Sequence, residues 1–135
     1  MSHGLFGCLI ALVSLVALSQ ASGEEKKTAH QNVGVEEFEK LSKEPDTVIL
    51  DVRTPKEYEA GHIKGSVLID FNAKGFEDKI KQLDKSKTYL VHCASGGRSA
   101  QACTKLDAFE FPKVVNLLGG FKAWEKAGKP VEKME

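Results

Sequence analysis

The stretch KTYLVHCASGGRS (residues 87–99) decides the fold. KTYLVHC (87–93) reads as a buried strand that ends at the cysteine. Four small residues and Arg98 follow. The next residues are helical in pattern, and a helix is predicted over 97–110. A buried strand, a glycine loop and a helix together make half of a parallel crossover unit.

The pattern repeats outward. Upstream, TVILDV (47–52) is a second buried strand. In TPKEYEAGHIKGS (54–66), Thr54 as N-cap, Pro55 at N1 and Glu57 at N3 form a capping box with the favoured proline position. Gly61 is expected to end that helix in a left-handed conformation. SVLIDF (66–71) reads as a short strand and FEDKIKQL (76–83) as a helix. Before them, Val35, Phe38 and Leu41 share helical spacing. Downstream, KVVNLL (113–118) is a further strand, and Gly119-Gly120 turns the chain into the helix FKAWEKAG (121–128). Alternating strands and helices predict an α/β fold: a mainly parallel central sheet of four to five strands with helices on both faces.

All 19 basic and 19 acidic residues lie in 24–135. Within 5–18, LFGCLIALVSLVAL, only Gly7 and Ser14 interrupt an apolar run, too short for the roughly 20 residues of a membrane-spanning helix. Small residues and then EEKK follow. Residues 1–23 therefore read as a secretory signal peptide, its n-region unusual in lacking Lys or Arg. The expectation is an exported chain, periplasmic or secreted, without stable membrane insertion after cleavage. Residues 24–32 are a polar, flexible lead-in, and 33–131 a single domain. Balanced charge without Lys/Arg clusters argues against nucleic acid as a partner. Only Cys93 and Cys103 follow the leader, too few for a disulfide framework, and no ligand spacing suggests a metal site.

Cys93 stands between a strand's carboxyl end, where open α/β sheets bind ligands, and a helix N-terminus. There the first backbone N–H groups lack intrahelical partners and the helix dipole adds positive potential. Ala94, Ser95, Gly96 and Gly97 are small; the two glycines let the loop curl its amides toward one point, and the sulfur is expected to be accessible. Arg98 adds a permanent charge. Each feature favours thiolate, the nucleophilic form. The plain alternative is a small hydrophobe at a strand end. Loops that cradle a phosphoryl group follow Cys-x5-Arg; here four residues separate Cys93 from Arg98. The smaller ring suits one sulfur anion better than a tetrahedral phosphate.

Three segments carry a resemblance to a known family. DVRTPKEYEAGHIKGS (51–66) resembles an Asp-Val-Arg … Glu-(Phe/Tyr) … Gly-His-Ile-x-Gly-(Ala/Ser) signature. CASGGRS (93–99) is similar to a Cys-x-x-Gly-x-Arg active loop, and LLGGFKAWEKAGKP (117–130) to a C-terminal signature. These motifs, in matching order over about 33–131, identify the chain as resembling the rhodanese-like (sulfurtransferase) family, in particular its single-domain members. The resemblance implies a rhodanese fold and a thiosulfate sulfurtransferase working by a ping-pong cycle through a persulfide on Cys93. The donor would be thiosulfate or a similar small sulfur-containing anion, and the acceptor cyanide, a thiol or a protein. No metal or organic cofactor is implied. A non-enzymatic sulfur carrier and a phosphatase are the competing readings.

Supporting roles fall to Asp51, Arg53 and Glu57. Arg98 either guides an anionic donor or holds the loop through a carboxylate, with Asp51 and Glu57 as candidate partners. Asp51 ends a strand on the rim expected to hold Cys93, and Arg53 is expected to pair with a carboxylate there. Adjacent strand residues face opposite ways, so His92 should point away from the sulfur. His62 reads as a structural turn residue. Ser95 and Ser99 are candidate donors to the sulfur, unless Ser99 satisfies helix amides. Cys103, Phe121 and Trp124 are expected in the core.

Overall fold

The computed structural model describes residues 29–135. The expected leader, and the lead-in as far as residue 28, lie outside the described residues. Five strands alternate with five helices: β1 (Gln31–Val33), α1 (Val35–Ser42), β2 (Thr47–Asp51), α2 (Pro55–Ala60), β3 (Val67–Leu68), α3 (Phe76–Lys81), β4 (Thr88–His92), α4 (Gly97–Ala108), β5 (Val114–Leu117) and α5 (Gly120–Lys126). The strands form one sheet in the order β1-β5-β4-β2-β3. Every pairing is parallel.

Helices cover both faces, and β4 shows why its sequence does not alternate. Tyr89, Val91 and Cys93 face one apolar cluster with Phe76, Ile80, Ala102, Cys103 and Leu106, from α3 and α4. Leu90 faces the other, with Phe38 of α1 and Phe121 and Trp124 of α5. Both sides must be apolar because neither meets water.

Two expectations change. Residues 31 and 32, read as flexible lead-in, belong to β1, an edge strand paired with β5, where Asn116 donates to Asn32 (3.0 Å). Its exposed polar side chains carry no strand signal; the hydrogen bonds to β5 define it. Gly61 is not left-handed but extended, at φ 166° and ψ 134°. Its lack of a side chain instead provides room: a Cβ would lie 3.1 Å from a Val131 methyl.

Parallel register brings the strand ends together. Asp51 pairs with His92, and the Val52 N–H donates to the His92 carbonyl (3.0 Å). Cys93 follows directly, beside the carboxyl end of the central strand.

Candidate active site

Cys93 leaves β4 and the chain turns at once into α4. Gly96, at φ +114°, supplies the turn, in a region that side chains disfavour. Its N–H donates to Cys93 Sγ at 3.1 Å. Gly97 has an ordinary φ as the first residue of α4, so only one of the two glycines has the conformational role expected for both.

The Ser99 hydroxyl lies 3.4 Å from Sγ and also reaches the Gly96 carbonyl at 3.2 Å. It has one proton for two acceptors. With a thiol, that proton suits the carbonyl while S–H donates to Oγ; with a thiolate, it can swing to the sulfur. Ser99 is thus placed against sulfur rather than capping helix amides. Ser95, the other candidate, makes no side-chain hydrogen bond to Sγ; its backbone N–H only adds to the pull that lowers the thiol pKa.

Burial pushes the Cys93 thiol up, but the Ser99 hydroxyl and the N–H groups of Ser99, Gly96 and Ser95 outweigh it, and the net shift is downward. Cys103, buried away from such donors, is pushed the other way. A difference titration of thiolate absorbance against Cys93→Ser should therefore place Cys93 below its ordinary 9.0. A lowered pKa means that thiolate is retained to lower pH. Ser99→Ala should move the midpoint up and reduce the thiolate fraction at neutrality. An unmoved midpoint would exclude Ser99 from stabilising the anion.

The expected accessibility of the sulfur does not hold: Cys93 is only 1% exposed and packs within the core. The small loop residues close over the sulfur because their backbone, not bulky side chains, forms the cradle.

The charges around the loop sort into two pairs. Arg98 meets Glu57 through two bonds, Nη1–Oε1 2.8 Å and Nη2–Oε2 3.0 Å. Glu57 also accepts from the Thr54 N–H, completing the predicted capping box. Chiefly through the Arg98 bond, its carboxyl is lowered from 4.5 to about 2. Arg98 therefore ties α4 to α2, and Asp51 is not its partner. Asp51 instead grips Arg53 through Nε (3.0 and 3.1 Å) and Nη2 (2.8 Å), both residues buried. Arg53 Nη2 also donates to the Gly61 carbonyl (2.7 Å), and its guanidinium lies 4.1 Å from the centre of the Phe121 ring.

His92 faces away from the sulfur, as alternation requires. It packs beside Phe38 and Phe121, with Nδ1 3.3 Å from the Cys93 carbonyl and Nε2 3.6 Å from Asp51. Burial lowers its pKa, against the pull of Asp51. His62 stacks on Tyr58 and bonds its carbonyl at 2.8 Å; it is structural, but it sits in an isolated bridge to Glu132 rather than in the expected turn.

Sequence reasoning missed the support behind the loop. The Cys93 carbonyl accepts from Phe121 N–H (2.8 Å) and the Ala94 carbonyl from Lys122 N–H (3.1 Å). These bonds need close approach of two backbones at Gly120, where φ is +59°. The Gly-Gly pair was legible as a turn, but its destination was not.

The rhodanese-like domain model matches residues 34–127. The chain belongs to the rhodanese-like family. It is 36% identical over 93 residues to thiosulfate sulfurtransferase 16, chloroplastic, of Arabidopsis thaliana, covering 62% of this chain and 78% of that protein. A sulfurtransferase of Allochromatium vinosum is 30% identical, with 69% and 85% covered. Among solved structures, a rhodanese-related protein from Thermoplasma volcanium superposes with a TM-score of 0.66 at 28% identity, covering 76% of this chain and 98% of that one. These relatives support a general sulfurtransferase role for this rhodanese-like chain.

Proposed function

We propose that this rhodanese-like protein is a thiosulfate sulfurtransferase in which Cys93 carries the moving sulfur. The observation that carries the reading is the pair of groups on Sγ, the Gly96 N–H at 3.1 Å and the Ser99 hydroxyl at 3.4 Å. The Cys93 thiolate attacks the outer sulfur of thiosulfate. A new S–S bond forms, the old one breaks, and sulfite leaves with its electron pair. The persulfide's terminal sulfur then carries the negative charge and needs donors rather than a proton source, which backbone amides supply. Cyanide or a thiolate attacks that sulfur, and the electron pair returns to Cys93. Arg98 and Glu57 hold the loop, while Asp51 and Arg53 brace the rim behind it.

The phosphatase alternative loses ground at Arg98. A loop holding phosphate needs its arginine fork on the anion, whereas this fork is occupied by Glu57. The carrier alternative predicts loading without turnover.

Incubation with thiosulfate followed by desalting should add the mass of one sulfur atom and release one sulfite. Cyanide should then discharge the adduct as thiocyanate, repeatedly. Absence of the adduct overturns the reading, and an adduct that cyanide cannot discharge favours the carrier.

A further inference from the structure

Between α2 and α5 lies a cavity of about 380 Å³ that reaches the active loop at Ala94, the neighbour of Cys93. Arg53, Glu57, Lys122 and Glu125 supply its charged walls. Two of these charges are already committed. The Arg53 guanidinium is bound by Asp51 and the Gly61 carbonyl, and Glu57 is held by Arg98. Lys122 and Glu125 remain, three residues apart on α5 and both exposed. Among the described residues neither side chain has a hydrogen-bond or ion-pair partner. The backbone of Lys122 is nevertheless fixed against the loop, through its N–H bond to the Ala94 carbonyl.

Thiosulfate divides its two negative charges between the transferred sulfur and the SO3 end, and the SO3 end gains charge as sulfite departs. That end needs a cation, and both arginines near the loop are engaged by carboxylates. We propose that the α2–α5 cavity is the subsite for the oxyanionic end of the donor, and that Lys122 is the residue that binds it. This rests on the thiosulfate reading above. The ammonium is a mobile point charge on a flexible stem, suited to a small anion that must enter and leave. Glu125 opposes it and limits affinity for anions.

Steady-state kinetics with thiosulfate and cyanide separate the two half-reactions. Lys122→Gln should lower kcat/KM for thiosulfate by about five- to tenfold, mainly through KM, as expected for losing one partly solvated charge contact. Lys122→Glu should lower it further, Lys122→Arg should restore most of it, and Glu125→Gln should raise it. The value for cyanide, mostly protonated near neutrality, should stay unchanged throughout. Lys126→Gln, an equal change of net charge outside the cavity lining, serves as the control. Added salt should shrink the difference between wild type and Lys122→Gln.

A Lys122→Gln value for thiosulfate matching that of Lys126→Gln overturns the subsite, as does an equal fall for cyanide. No sulfur uptake by the wild-type chain overturns both the function and the subsite. Normal uptake with Lys122 silent overturns the subsite alone.

Discussion

Replacing Cys93 with serine should reduce thiosulfate-dependent thiocyanate formation by at least roughly three orders of magnitude, the scale of losing a covalent nucleophile. A serine hydroxyl keeps its proton at neutral pH and offers no sulfur for a stable persulfide. The change is nearly isosteric, and the hydroxyl inherits donors that already face this position. The fold should therefore persist, with stability changed by no more than about 1 kcal/mol. Kinetics and thermal melting on the same samples check both halves. Cys93→Ala, which adds no polar atom to a buried site, guards against a folding artefact. Turnover within tenfold of wild type in either folded variant would remove Cys93 from the reaction.

Gly120→Ala should be the most damaging single methyl addition near the site. The new Cβ would stand 2.6 Å from the Cys93 carbonyl oxygen and 2.7 Å from both the carbon and oxygen of Ala94. All three are backbone atoms, so no side chain can swing aside. Gly120 also has φ +59°, a left-handed conformation that costs a side-chain-bearing residue about 1–2 kcal/mol. Overpacking typically adds 1–3 kcal/mol, so a loss of about 2–5 kcal/mol is expected in chemical denaturation. Relief requires α5 and the loop to separate, breaking the bonds from Phe121 and Lys122 that hold the Cys93 and Ala94 carbonyls. A displacement of about 1 Å at the sulfur would cost on the order of a hundredfold in rate. Gly34→Ala, with open space around its Cβ and an ordinary φ of −80°, should leave the rate unchanged and, as the N-cap of α1, cost at most about 1 kcal/mol. Near-normal rate and stability in Gly120→Ala would mean that α5 does not set the loop's position.

The contrast between these glycines shows where sequence reasoning is strong and where it stops. Strand–helix alternation was legible because β2 and β4 are buried on both faces, and the capping box at Thr54–Glu57 because all its bonds are local. The opposite orientations of His92 and Cys93 followed from strand geometry alone. β1 was missed because an exposed edge has no apolar pattern to read. Gly61 was assigned a left-handed conformation because helix-ending glycines usually adopt one, whereas here Val131, seventy residues away, limits the space.

By itself, the sequence determined an alternating α/β chain and a single cysteine set among small residues at a helix N-terminus. Those properties arise from near neighbours, through side-chain burial periodicity and backbone donors within a few residues. Only the tertiary structure decided which carboxylate each arginine binds, how deeply the sulfur lies and what supports the loop from behind. Arg98 meets Glu57 across 41 residues, and Cys93 leans on the backbone around Gly120. Such contacts depend on the spatial order of strands and helices, because residues distant along the chain become neighbours only when the sheet assembles and both of its faces are covered.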